Sequence, residues 1–377
     1  MNKTKVVFLK NRLGQKGGLE KYTERLLSAF VNKGCETFLL CSKSSGLHNF
    51  HQVFFPPGPF PQYVRMEKFD RRVQKWLKKN TPQVVFGMDR NSYQTHLRLG
   101  NGIHKAYLDI RNKYEGKVKK WSFSWNPLHK KILQLEKIAL ENPLLQKVFT
   151  NSHMVKNQAL QYYAIDPKKI EVIHNGVEWE EKKDLFLQWQ EKKEGLVKEK
   201  AFPKNTHHFL FVGSGFKRKG LVPLLKGLSF FKKEDFFLHV IGKDKNISVF
   251  KKLAKKLGIE KRVLFLGELK DPFPYYQLAD TLVIPSFYDP FANVTVEALA
   301  MGLRVISSFS NGGSEILTED TGDVLSNLLD TGEMKSLLEK AMNHPKTFTQ
   351  AEKIRNSVKH LDFAKQLEKI TSLTLGL

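Results

Sequence analysis

The feature that most limits the fold is an alternation repeated along the whole chain. Short runs rich in β-branched and aromatic residues are each followed by a longer stretch with apolar residues at helical spacing. In the first half the runs lie at 5–9, 37–40, 52–55, 84–87, 148–150 and 171–174. In the second half they lie at 209–213, 237–242, 263–267, 282–285 and 304–307. The runs are continuously apolar rather than alternating, so both faces of each strand are to be buried. That requires parallel strands with helices on either side, an α/β architecture. A charged, helical-looking stretch at 178–204, ending near Pro203, separates the two series. It reads as part of the connection between two Rossmann-like domains, for which 377 residues suffice. The expected layout is a first domain over 1–180, a second over 205–345 and a helical tail over 346–377. The tail is open to packing back on the first domain, although its composition does not show which domain it meets.

Three loops at strand ends suit a phosphate-bearing ligand. After the first strand, a loop reaches Gly17-Gly18, and Leu19, Tyr22, Leu26, Leu27 and Phe30 then follow at helical spacing. A helix N-terminus offers unpaired N–H groups and partial positive charge, and glycines let a ligand approach the backbone. A tight turn that needs glycine accounts for the pair equally well. The second loop, Gly213-Ser-Gly-Phe-Lys-Arg-Lys219-Gly220, adds Arg218 and Lys219, which would clamp a diphosphate or stand as a solvated basic turn. The third segment is the most informative: Pro285-Ser-Phe-Tyr-Asp289-Pro-Phe-Ala-Asn293-Val-Thr-Val-Glu297-Ala-Leu-Ala-Met-Gly302. It predicts a strand ending at Pro285, Asn293 as N-cap, a helix from Val294 to Met301, and Gly302 as the C′ residue. The first-turn amides of Val294, Thr295 and Val296 would then face a diphosphate. Asp289 and Glu297 would border the same ligand. Their plainer roles are a loop cap for Asp289 and a first-turn acid complementing the helix dipole for Glu297.

Lys and Arg total 62 against 38 Asp and Glu, a formal net charge of +24. Such an excess favours polyanionic partners: nucleic acid, an anionic membrane or phosphorylated glycans. Two cysteines, Cys35 and Cys41, make neither a zinc spacing nor a disulfide framework, which points to a reducing cytoplasm. The first residues hold too short an apolar run for a signal peptide. No window reaches the roughly 18 apolar residues of a membrane span, so attachment would be at the surface.

Taken together, Gly17-Gly18-Leu19-Glu20, the Gly213–Gly220 loop and two acids eight apart at Asp289 and Glu297 resemble the retaining, two-domain GT-B glycosyltransferases of family 4. Thr150-Asn-Ser152 and Val172-Ile-His-Asn175-Gly176-Val177 match the usual end of that family's first domain. Within the family, Phe211-Val-Gly-Ser-Gly-Phe-Lys-Arg-Lys-Gly220 and Ile241-Gly-Lys-Asp244-Lys look like the bacterial lipopolysaccharide core glucosyltransferases. The resemblance implies two parallel-sheet domains facing across a cleft, with acceptor on the first and nucleotide sugar on the second. It also implies roles. Glu297 would hold the donor ribose, and Asp289, an Asp where Glu is usual, would contact the transferred sugar. Arg218 and Lys219 would bind the donor diphosphate, and Gly17 and Gly18 would lie near it. Ser214 stands where an Arg is usual. His104 would be a cleft catalytic group, and the Gly267-Glu268-Leu269 turn would meet the base through its backbone. Asn311-Gly312-Gly313-Ser314-Glu315 would line the cleft, and Asn293 and Val294 would start the diphosphate helix.

No Asp-x-Asp pair of the kind that holds a catalytic metal occurs, so protein cations and helix amides are expected to replace it, with no cofactor. No carboxylate is clearly placed as a covalent nucleophile. Same-face attack through an oxocarbenium-like state is therefore favoured, the leaving phosphate taking the proton; retention itself is implied by the resemblance alone. Arg65, Lys68, Arg71, Arg72, Lys75, Lys78 and Lys79, with Val73, Trp76 and Leu77 among them, form one basic stretch. Lys113, Lys117, Lys119, Lys120, Trp121, Phe123, Trp125, Lys130 and Lys131 form another. Cations mixed with aromatics suit an anionic membrane or the phosphates of a lipid-linked glycan, or else a merely solvated basic face. The readings that compete are a nucleic-acid-binding protein, for which no motif is present, and a phosphorylase or synthase acting on soluble sugars. The expectation is a peripheral enzyme on the inner face of the cytoplasmic membrane, using UDP-glucose and a lipopolysaccharide-core or other anionic glycolipid acceptor.

Overall fold

The computed structural model describes residues 3–11, 18–43, 50–115, 123, 125–232 and 236–377, with backbone alone for 18–21. The chain divides into two compact units, Met1–His174 with Lys365–Leu377, and Asn175–Ala364.

The first unit holds strands β1 (Lys5–Lys10), β2 (Glu36–Cys41), β3 (His51–Phe54), β4 (Val84–Gly87), β5 (His96–Arg98), β6 (Lys147–Thr150) and β7 (Ile170–Val172). They form one sheet in the order β3-β2-β1-β4-β5-β6-β7, and every pairing is parallel. Its helices are α1 (Gly18–Asn32), α2 (Gln62–Asn80), α3 (His104–Tyr114), α4 (Pro127–Leu140) and α5 (His153–Tyr162). Phe8 on β1 meets Phe30 edge-on at 5.3 Å and stacks on Phe86 at 5.2 Å, and Phe86 stacks on Phe149 at 5.8 Å. These rings cover the middle of the sheet, and burying each contributes about 2–3 kcal/mol. On α2, Phe69, Val73 and Leu77 pack with Val7, Leu9, Leu40 and Val85, and Trp76 covers their edge. Val73, Trp76 and Leu77 therefore belong to the core and not to a membrane-facing surface, because they fall on the inward stripe of the helix. β5 carries no apolar run: His96 and Arg98 flank Leu97, yet all three are buried. A three-residue strand with two polar side chains leaves no periodic signal.

The second unit holds β8 (His207–Val212), β9 (Phe236–Ile241), β10 (Val263–Gly267), β11 (Thr281–Ile284), β12 (Arg304–Ser308) and β13 (Gly322–Leu325). Their order is β10-β9-β8-β11-β12-β13, again all parallel. Its helices run from α6 (Lys183–Leu187) and α7 (Trp189–Glu199) through α8 (Leu221–Leu228), α9 (Ile247–Lys256), α10 (Phe273–Leu278) and α11 (Asn293–Ala300). They continue with α12 (Thr331–Met342), α13 (Phe348–Ser357) and α14 (Phe363–Leu375), the last extending into the first unit from Lys365. The 178–204 stretch lies inside this unit rather than between two domains. Trp179, Phe186 and Trp189 are buried, and the Arg355 guanidinium sits 4.3 Å over the Trp179 ring. β13 escapes sequence reading because it opens on Gly322 and Asp323. The glycine is required, since a Cβ there would lie 2.1 Å from the Val305 carbonyl oxygen on β12.

In both sheets the chain starts in the middle, winds outward one way and then returns to wind the other way. The reversal falls between β1 and β4 and between β8 and β11. Loops leaving the carboxyl ends of such a strand pair diverge and leave a crevice, the common ligand site of doubly wound folds.

Candidate active site

In the second unit the crevice is framed by the loops after β8 and β11. The loop after β8 turns on three glycines. Gly213 adopts φ 153°, Gly215 φ 76° and Gly220 φ 85°. A Cβ on Gly220 would sit 1.9 Å from the Pro285 carbonyl oxygen, so the two loops can touch only with glycine there. Asp244 accepts from the Phe216 N–H at 2.7 Å, and Phe216 is fully buried against Phe211 and Phe250. One buried ring and one acid thereby fix the backbone that carries Arg218 and Lys219.

Both cations meet Asp289. Lys219 Nζ donates to Asp289 Oδ2 at 2.5 Å, and Arg218 Nη1 donates to the same oxygen at 3.2 Å and to the Tyr288 carbonyl at 3.0 Å. Asp289 is 7% exposed. Burial pushes its carboxyl up, but the charges and hydrogen bonds of Lys219 and Arg218 outweigh burial and hold it below the ordinary carboxylate value. The Asp289 backbone is equally fixed: its N–H donates to Ser310 O and its carbonyl accepts from Gly312 N–H. Asn311, wholly buried, completes the frame. Its Oδ1 accepts from Ala292 and Gly313 N–H, and its Nδ2 donates to Ser307 Oγ. The segment read as lining is thus a staple between β12 and the start of α11.

Helix α11 starts at Asn293, with Ala292 as its N-cap and no side-chain cap. The expectation that Asn293 caps the helix is corrected: it is the first helical residue, and its Oδ1 accepts from Asn175 Nδ2 at 2.7 Å. Of the first-turn amides, Thr295 N–H is spent on Ala292 O at 2.9 Å. Val294 is half-buried. Gly302 takes φ 72° one residue past the C-cap Met301, and a Cβ on it would crowd Ala351 at 2.6 Å. Glu297, half-buried one turn into α11, accepts at Oε2 from Tyr276 Oη at 2.8 Å. Leu269, two residues past β10, is half-buried, and its neighbour Glu268 pairs with Lys243 at 2.7 Å. Gly17 lies outside the described residues, and Gly18 opens α1.

The first unit has its own charged groups at the carboxyl ends of its strands. Lys10 and Asp89, at the ends of β1 and β4, pair at 2.9 Å across the switch point. His104 opens α3. Its N–H and that of Lys105 are capped by the carboxylate of Glu136 on α4. Glu136 has no exposed surface and also accepts from Arg90 Nε at 2.6 Å and Tyr163 Oη at 2.7 Å. His104 Nε2 lies 3.0 Å from His129 Nδ1. Burial first, then the Arg90 charge, push the His104 ring down to about 4, so it is neutral at pH 7. Glu136, His129 and Arg90 escaped sequence reading. The available signal was Glu136 sharing a helical face with Ala139 and Leu140, an acid on a buried stripe. Of the basic stretch, Lys117, Lys119, Lys120 and Trp121 lie outside the described residues. Trp125 is 68% exposed, with Lys130 over its ring at 5.4 Å, and Lys68 stands 3.2 Å over the exposed Phe60 ring. Arg71 pairs with Glu67, which also takes Lys131. Among the described residues no helix is long and apolar enough to cross a membrane.

Two family models match the chain: Glycosyltransferase Family 4 over residues 16–181 and Glycosyl transferases group 1 over residues 192–360. An uncharacterized glycosyltransferase, MJ1607 of Methanocaldococcus jannaschii, is 29% identical over 182 residues, 47% of this chain and 46% of its own. Lipopolysaccharide glucosyltransferase WaaG of Escherichia coli (strain K12) is 24% identical over 221 residues, 57% of this chain and 58% of its own. The matches span about half the length of these curated relatives. The crystal structure of WaaG, a glycosyltransferase involved in lipopolysaccharide biosynthesis, superposes with a TM-score of 0.81 at 20% identity. That match covers 99% of this chain and all of the other. At such identity the likeness speaks for the fold, which is GT-B.

Proposed function

We propose that the chain, which belongs to the family 4 glycosyltransferases of GT-B fold, moves glucose from UDP-glucose to a lipopolysaccharide core or another anionic glycolipid, with retention of configuration and without a metal ion. The observation that carries the donor half of this reading is the convergence of Lys219 and Arg218 on one oxygen of buried Asp289 at the switch point of the second sheet. Two preorganised cations at that place supply what a departing nucleoside diphosphate needs, stabilisation of charge that grows as the glycosidic bond breaks. The second unit takes the donor: Val294 and Asn293 at the start of α11 border the diphosphate, Glu297 the ribose, and the backbone around Leu269 the base. The first unit takes the acceptor, and His104 enters as a neutral hydrogen-bonding group. The acceptor hydroxyl attacks on the face the nucleotide leaves, and the leaving phosphate oxygen takes its proton.

The acceptor half rests on the names of similar proteins and on charge. Exposed aromatic–cation pairs at Trp125 and Lys130 and at Phe60 and Lys68, in a chain of net charge +24, suit a peripheral position on an anionic inner membrane face, with no role for nucleic acid. A screen of nucleotide sugars against glycolipid extracts, reading nucleotide release with and without EDTA, tests the whole reading. Turnover of UDP-glucose that is indifferent to EDTA is the expected result. Strict dependence on added metal would overturn the mechanism, and no turnover of any nucleotide sugar would overturn the function.

A further inference from the structure

Tyr276 lies on α10, outside every loop that frames the crevice, and its side chain has no exposed surface. Its hydroxyl reaches across to α11 and donates to Glu297 Oε2 at 2.8 Å. The position of the phenol is over-determined. Its ring stacks on Phe273 with centroids 5.4 Å apart, and Lys182 Nζ covers the other partner of that stack at 3.9 Å. The next residue, Gln277, ties α10 to α6 through Leu185 O at 2.7 Å. A buried phenol held this way cannot follow a carboxylate that rotates, so the carboxylate is held to the phenol. Burial, and then the neighbouring Glu297 charge, raise the Tyr276 pKa well above its ordinary value, so the hydroxyl stays a donor throughout the working pH range.

From the fixed ring, the 2.8 Å bond and the half-buried carboxylate on α11, we infer that Tyr276 is a positioning residue. It locks the rotamer of Glu297 so that the carboxylate selects a ribose over a deoxyribose nucleotide, an inference that rests on the reading of Glu297 as the ribose-holding acid. A bidentate or paired contact to two vicinal hydroxyls depends on the plane of the carboxylate, and losing the Tyr276 bond would keep the charge of Glu297 but loosen that plane. Tyr276 itself touches no substrate.

The test compares two ligands in one protein. Titration calorimetry of the full chain with UDP, ADP and GDP selects the tightest ribonucleoside diphosphate, which is then compared with its 2′-deoxy counterpart. In the wild type the ribo form should bind about tenfold tighter or more, the size of one hydrogen bond to a charged group. Tyr276→Phe, which keeps the ring and its stack, should narrow that ratio to about threefold or less by weakening the ribo form alone. Tyr276→Met, which lacks the hydroxyl but fills the space differently, should narrow it alike. Glu297→Gln should abolish the preference and leave Tyr276→Phe no further effect on it. A merely structural role would weaken both ligands equally and leave the ratio intact, which would overturn the positioning role while leaving Glu297 as the ribose acid. A wild type that fails to bind any of the three, or binds ribo and deoxy forms alike, would overturn the ribose reading and this inference with it.

Discussion

Replacing Asp289 by Asn removes a charge and almost nothing else. The backbone bonds from Asp289 N–H to Ser310 O and from Gly312 N–H to Asp289 O do not use the side chain, so the loop keeps its path. What disappears is the anion that Lys219 and Arg218 share at 2.5 and 3.2 Å. Breaking a buried ion pair from one side costs about 3–5 kcal/mol when the surviving charge cannot rehydrate. The Lys219 side chain is 12% exposed and cannot; that of Arg218 is 40% exposed and can. The amide oxygen of Asn still accepts one hydrogen bond. A net loss of about 2–3 kcal/mol follows. The pH dependence has a definite sign. The carboxyl titrates lower in the folded chain than in the unfolded one, so its contribution is present above the unfolded pKa near 4 and is lost as pH falls through the folded value. Urea unfolding of wild type and Asp289→Asn, followed at Trp179 and Trp189 of the same unit, should show the full difference at pH 7. The difference should be nearly unchanged at pH 5 and closing below about pH 4. Saturating UDP should narrow it at pH 7, because a diphosphate replaces the missing anion. A difference under about 0.5 kcal/mol at pH 7, or one that persists undiminished at pH 3, would refute the argument that Asp289 is an ionised anchor for the two cations.

Lys219→Met should lower kcat for nucleotide-sugar turnover about 100-fold or more at preserved circular dichroism, because in the proposed mechanism Lys219 donates to the charge growing on the departing diphosphate; a loss below about tenfold would show that Lys219 does not act on the leaving group. Burial pushes the rings of His96, His104, His207 and His208 down to about 4 and that of His239 to about 3. The unfolded chain therefore takes up protons between roughly pH 6.5 and 4 that the folded chain refuses, and stability must fall as pH falls through that window. The urea midpoint measured at pH 7, 6 and 5 should drop at each step, and a flat profile would show that these imidazoles are not held neutral.

The match between sequence and structure follows the physics of each element. All eleven strand runs read from the sequence overlap strands by two or more residues because they are largely apolar, and 84–87 and 263–267 coincide with β4 and β10. β5 and β13 were not legible because His96 and Arg98 in one, and Gly322 and Asp323 in the other, break any apolar run, and only the neighbouring elements bury β5 and the two ends of β13. The loop after β8 was legible through its glycines and adjacent cations, and Gly302 through its place after a helix. Asn293 was misplaced by one residue: Asn is a good N-cap in isolation, but here its side chain is taken by Asn175. A residue 118 positions away in sequence leaves no local trace.

What the sequence determined by itself was the class of fold. Apolar runs that cannot face water on either side force parallel sheets covered by helices, and glycines and cations at strand ends single out the loops where the proposed phosphate contacts lie. Only the tertiary structure decided which of those groups meet. It brought Arg218 and Lys219 onto Asp289, seventy and more residues on, set the Tyr276 hydroxyl against Glu297, and hid Glu136 beneath the first turn of α3. Each of these is a pairing of buried charge or buried hydroxyl across separate elements. Such a group is stable only where a partner is supplied, and the partner is chosen by the order of strands in the sheet rather than by proximity along the chain.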